Sequence, residues 1–424
     1  MGVRFAKNFT SMRTFYAFLS CSILACFGLT TAPTAQAQEV IYDSVVLGEG
    51  NANMSFYSLA NGELAQVPLA DWHIALDVRP MGATARINGG LGLKLYPYGS
   101  LAEWDNVDLT TWLPGDPYRN EQTDWSYGAF SQGGDGMFDF GWGVYDVVTH
   151  VVTSDVMYLV QLPDETWKKV ALLSLSSGVY DLQFANIDGT DFFNVSVNKA
   201  DYDGQLFAYC NLLTGAVEDL EPAEPWDIAF FTYEDEVAPG TYYPVTGGLI
   251  HPNVTVQQSE GLTDPFLDGS YSLDSFSFET NAIGHDWKSF VPGQGYAIEA
   301  ERCYFVADSY GDVWRLVFTG FGGSATGEIT FGLLEAGTIA NSIIEAPAES
   351  VRFYPNPLAS GQPLTVTTAR AARVRIFAAT GSQIIDEQLV GLVQLNLPEL
   401  TSGLYIVEMT EANGTRHTQQ LIVQ

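Results

Sequence analysis

DWHIALDV (Asp71–Val78) and PWDIAFFT (Pro225–Thr232) are nearly the same phrase written twice. Each places one polar residue after a tryptophan and then runs Ile-Ala into a further apolar residue. Alternation of period two predicts a strand in both places. On that period Ile74 and Leu76 share a face with Trp72, and Ile228 and Phe230 share one with Trp226. Those faces are expected to be core, with each tryptophan anchoring its own interior.

The repetition extends outward. FYSLANGELAQVPLADWHIAL (Phe56 to Leu76) aligns with AYCNLLTGAVEDLEPAEPWDIAF (Ala208 to Phe230). Both read as strand, glycine turn, strand, linker and tryptophan-led strand. A Gly-Gly pair follows each, Gly89-Gly90 and Gly247-Gly248. Farther along, Trp142 aligns with Trp287 and Trp167 with Trp314. MYLVQLPDETWKKVALL and CYFVADSYGDVWRLVF predict matching hairpins. LAEWDNVDLTTWL (Leu101 to Leu113) is a short helix or a loop; no longer amphipathic helix is evident. The reading is all-β, with a first domain at 38–198 and a second, duplicated one at 199–338.

Composition agrees. The 424 residues are 46% hydrophobic, with 41 glycines and 19 prolines, which suits several sheet cores joined by tight turns. The net charge of −32 repels phosphate backbones and anionic lipid faces, so no nucleic-acid partner is expected. NIDGTD and NKADYDG space their acids as calcium loops do but lack the twelve-residue EF-hand pattern, so turn chemistry is the better reading.

The two ends are addresses. Arg4, Lys7 and Arg13 precede an apolar stretch, Phe15 to Leu29, and Ala35-Gln36-Ala37 offers a cleavage site. Residues 1–37 are therefore expected to be a signal peptide. A rival is a lipoprotein-type box ending at Cys26. No later stretch is long and apolar enough to span a bilayer as a helix. Cys210 and Cys303 would remain after cleavage, either bridged or as two buried thiols. A Pro/Ala-rich linker (339–350) then leads to about 75 residues of short strands and turns (351–424), the pattern of a small β-sandwich.

That last segment resembles the C-terminal (type A) sorting domain of proteins exported by the type IX secretion system of Bacteroidota. The resemblance rests on FYPNP (Phe353 to Pro357), VRIFAATGSQI (Val374 to Ile384), LPELTSGLYIVEM (Leu397 to Met409) and the terminal LIVQ. It implies engagement of the type IX machinery, followed by release or attachment at the cell surface. The repeated unit resembles the HmuY-like family of haem-binding proteins, through Trp-x-Ile-Ala (Trp72 to Ala75, Trp226 to Ala229), the following Gly-Gly pairs and the closing hairpins. That resemblance implies an all-β fold, haem as cofactor, haem or haem proteins as partners, and two axial ligands from His or Met.

The ligand candidates are His150, in the strand-like VVTHVV, His285, in IGHDW, and Met137, in the glycine-rich QGGDGMFDFG. His73 alternates to the face opposite Trp72 and matches Asp227, which predicts a polar, exposed or turn-bonded site. Catalytic signatures are missing: no Gly-x-Ser-x-Gly, His-Glu-x-x-His or phosphate loop occurs. The sequence thus reads as an exported, non-catalytic binding protein. The alternative is a structural or adhesive surface protein that has lost the haem ligands.

Overall fold

The computed structural model describes residues 39–80, 82–136, 138–338, 351–354, 358–378, 382–395, 397–398, 400–411 and 416–423. The expected signal peptide, the 339–350 linker and the candidate ligand Met137 lie outside them.

The described chain is all-β, and its helices are short 3-10 turns of at most four residues. The strands of the body are β1 (Ile41–Val46), β2 (Asn53–Ser58), β3 (Gly62–Pro68), β4 (Ile74–Asp77), β5 (Ala85–Ile87), β6 (Lys94–Ser100), β7 (Val144–Asp146) and β8 (Val151–Thr153). They continue as β9 (Val156–Gln161), β10 (Trp167–Ser176), β11 (Val179–Asn186), β12 (Phe193–Asn198), β13 (Phe207–Cys210), β14 (Val217–Glu218), β15 (Ile228–Ala238) and β16 (Thr241–Ile250). The last are β17 (Thr255–Ser259), β18 (Lys288–Val291), β19 (Gly295–Ile298), β20 (Cys303–Ala307), β21 (Asp312–Phe321) and β22 (Glu328–Thr338).

The pairing does not follow the halves of the chain. One large sheet runs β1-β22-β21-β20-β17, so the first strand lies beside the last of the body. The other large sheet runs β12-β11-β10, and β10 then meets β9, which carries β6, along one stretch and the β8-β7 hairpin along another. The small sheets run β16-β15-β2-β3 and β14-β13-β4-β5. In each small sheet a hairpin from one half completes the tryptophan-led strand of the other. The division at 198/199 therefore separates sequence, not sheets. One body is contiguous from β4 to β14. The other is built from β15 to β22 and closed by β1 to β3, a clasp supplied from the beginning of the described chain.

Three apolar layers join four of the five sheets of the described body; β18 and β19 pair only with each other, and a further apolar cluster surrounds Cys303, Phe305 and Val317. The first core lies within the contiguous body, around Ile74, Leu76, Trp142, Tyr158, Tyr180 and Phe184. The second lies within the clasped body, around Tyr57, Ile228, Phe230, Trp287, Phe318 and Phe331. The third is a seam between the two small sheets, and Trp72 and Trp226 are in it. Both tryptophans are buried, as expected, but on the side of Ala75 and Ala229 rather than of Ile74 and Ile228. Residue 73 is a bend, so strict alternation begins only at Ile74 and the tryptophan falls on the other face. The side chains that fill the separate interiors are Trp142 and Trp287, each almost wholly inaccessible to solvent.

The glycine pairs are not equivalent. Gly89 and Gly90 open a 3-10 turn after β5, whereas Gly247 and Gly248 lie inside β16. Each pair answers a different close approach: a Cβ on Gly90 would meet the Thr232 carbonyl oxygen at 1.8 Å, and one on Gly247 the Gly284 carbonyl oxygen at 2.3 Å. Trp167 and Trp314 are likewise out of register. Tyr158 pairs with Val170 and Tyr304 with Leu316, which sets Trp314 opposite Val306 but Trp167 opposite Gln161. Trp314 enters the second core, and Trp167 instead packs against Tyr96 and Trp112.

Both expected hairpins form, β9–β10 and β20–β21. Leu101 to Leu113 is one 3-10 turn followed by loop. Cys210 and Cys303 are both free and buried, in different apolar clusters. Burial pushes the Cys210 thiol up to about 12. The C-terminal segment forms β23 (Val351–Tyr354), β24 (Leu364–Ala378), β25 (Gln383–Leu395), β26 (Gly403–Glu411) and β27 (Arg416–Val423). They join as one connected antiparallel sheet with its own core around Val366, Val374, Ile376, Val407 and Leu421.

Candidate functional site

The seam is the place where the fold brings chemistry together. Ala75 and Ala229 share one buried cluster there with the aromatic side chains of Phe56, Trp72, Trp125, Phe207, Tyr209 and Trp226. Trp72 packs edge-on against Tyr209, with ring centroids 5.4 Å apart, and Trp226 packs in the same manner against Phe56 at 5.2 Å.

Polar groups buried at the seam are tied to the sheets. Glu221 accepts hydrogen bonds from the backbone N–H groups of Leu206 and Phe207, the Tyr209 hydroxyl and Trp226 Nε1, at 3.0–3.2 Å. Burial raises its pKa, and these donors pull in the opposite direction. Arg86 lies over the Trp125 ring and donates to the carbonyl oxygens of Glu121, Asp124 and Tyr127 and to Gln122 Oε1. Its burial lowers the guanidinium pKa to about 10. Gln122 then donates to the Glu234 carbonyl at 2.7 Å, which fastens the 121–128 loop across to β15.

A cavity of about 30 Å³ remains, lined by Met54, Trp72, Arg86, Trp226, Phe231 and Tyr233 among others. That is room for one or two water molecules, whereas a pocket for a drug-sized ligand spans roughly 300 Å³ or more. No histidine lines it.

The expected haem ligands are elsewhere. His150 is not in a strand. It sits in the exposed turn between β7 and β8 with φ 57°, and its Nδ1 is 2.6 Å from the Tyr145 hydroxyl. Asp146 accepts from the N–H groups of Val148 and Thr149, so turn chemistry has overridden the β-branched run. His285 is half-buried beside β15, with Nε2 3.7 Å from Asp235 Oδ2. Burial lowers its pKa, against the pull of Asp235. Among the described residues, no group of three or more His, Cys, Asp or Glu side chains is arranged to hold a metal ion.

His73 does share a role with Asp227, but as a buried residue rather than an exposed one. His73 Nδ1 accepts the Leu212 N–H at 3.3 Å, and Asp227 Oδ2 accepts the Leu59 N–H at 2.8 Å. In both, the residue after the tryptophan secures the end of the hairpin strand that pairs with it. Sequence reasoning did not single out Arg86, Gln122, Glu221 or Tyr233. Glu221 lies in an acid-rich run, EDLEPAEP, where nothing local separates a buried carboxylate from its solvated neighbours.

No curated protein sequence matches the chain. No described helix is long and apolar enough to cross a membrane. Residues 352–424 match the family described as the secretion system C-terminal sorting domain, and the protein is accordingly a type IX cargo, released from the cell or carried on its surface.

Proposed function

We propose that residues 39–338 form a non-catalytic surface module whose role is structural or adhesive. The carrying observation is the use made of the buried polar side chains. Arg86, Gln122 and Glu221 spend their hydrogen-bonding capacity on joining sheets and loops. Rigidity of this kind suits a part that must keep its shape outside the cell. The two halves are, on this reading, copies of one ancestral unit, supported by the matching strand orders of the large and small sheets.

Haem capture is the second reading, and the resemblance to the HmuY-like family supports it. The two separate by titrating haemin into the purified mature protein and following the Soret band. The structural reading expects no sharp, saturable shift at micromolar protein. A saturable shift that disappears in His150→Ala or His285→Ala would establish haem ligation and overturn it.

A further inference from the structure

The other polar side chains that border the cavity at the seam are each hydrogen-bonded within the protein. Asn88 donates to the Leu69 and Trp72 carbonyls, and Asn120 donates to the Ile87 carbonyl and accepts from the Ala129 N–H. Gln122 and Arg86 are joined to each other and to backbone oxygens. Glu234 accepts from Arg119.

Two lining residues differ. Trp72 is 6% exposed and Tyr233 3%, yet neither Trp72 Nε1 nor the Tyr233 hydroxyl has a hydrogen-bond partner among the described residues. Four other buried tryptophans, at 125, 142, 226 and 314, donate to a carbonyl or carboxylate oxygen. Trp287 Nε1 is also unpartnered, but that residue does not border the cavity. A buried donor left without a partner is destabilising, so a cavity with room for water that is lined by the two residues carrying such groups favours occupation.

We propose that the seam contains a built hydration site: one or two ordered water molecules that accept from Trp72 Nε1 and pair with the Tyr233 hydroxyl. Trp72 belongs to the contiguous body and Tyr233 to the clasped one, so this water links the two small sheets. It is part of the join between the two bodies.

The test is crystallographic, with a stability measurement beside it. Crystals of the mature protein, measured natively and under xenon pressure, should show water within about 3.2 Å of both Trp72 Nε1 and Tyr233 Oη. Xenon should not enter. A xenon peak in the cavity, or either polar atom without a water, overturns the proposal. In parallel, Tyr233→Phe keeps the ring and removes only the hydroxyl. It should lower the thermal midpoint, because the water loses a partner. An unchanged or raised midpoint would show that the hydroxyl had no partner to lose. Haemin binding to the same variant is a separate readout, so failure of this proposal is distinguishable from failure of the structural role.

Discussion

His73 and Asp227 do similar work with opposite acid–base chemistry. Burial lowers the His73 pKa to about 4, with Lys168 adding to the effect, and burial raises that of Asp227 to about 7, with Asp308 adding to it. The two contributions to stability consequently run in opposite directions. A histidine lowered from 6.5 supports the fold above pH 6.5, and its contribution is lost as pH falls toward 4. An aspartate raised from 3.8 supports the fold below that value, and its contribution is lost as pH rises through 7. At the unfavourable extreme the histidine shift amounts to roughly 3 kcal/mol and the aspartate shift to roughly 4 kcal/mol. Urea midpoints measured from pH 4 to pH 8 should show Asp227→Asn flattening the alkaline limb and leaving the acid limb in place. A loss of stability on the acid side alone would contradict this assignment. Gly90 makes a second prediction at this scale. Gly90→Ala should cost about 2 kcal/mol or more by thermal unfolding, because the Thr232 carbonyl that its Cβ would strike belongs to the middle of β15 and cannot swing away. A near-neutral Gly90→Ala would show that β15 is free to move.

Among the elements, hairpins were legible in the sequence because each is fixed by local alternation and a turn, as in β9–β10 and β20–β21. Facing was harder to read. One bend at residue 73 moved Trp72 to the other side of its sheet, and a one-residue difference in register sent Trp167 and Trp314 to different environments. Pairing partners were not legible at all: nothing in β1 states that it will lie against β22 rather than β11. The candidate site suffered likewise, since His150 reads as strand in a run of valines and is held in a turn by Asp146 and Tyr145. The clasp yields a direct test. Removing residues 39–68 strips Val45, Leu47, Tyr57 and Leu59 from the second core and unpairs the edges of β15 and β22. Hydrogen exchange should then show loss of protection across 226–338 with protection retained in β9 to β11. Retained protection in β21 and β22 would make the clasp dispensable.

At the scale of the whole molecule, five sheets and four buried apolar clusters among the described residues make one interlocked body, followed by a sorting domain that directs its export. The all-β class and the export address were both readable, the first from strand alternation and turn residues, the second from the C-terminal motifs. The interlock was not, because it depends on contacts between residues far apart in the chain, such as Val45 with Ile329. An interlock of this kind predicts that a cut at 198/199 deprives each tryptophan-led strand of its partner hairpin.

The most direct test is to express residues 39–198 and 199–338 separately and then mix them, following folding by amide NMR dispersion and mass by light scattering. The interlocked arrangement predicts that neither piece folds alone and that together they assemble into a one-to-one complex with dispersed spectra. Two independently folded monomers that ignore each other would contradict it.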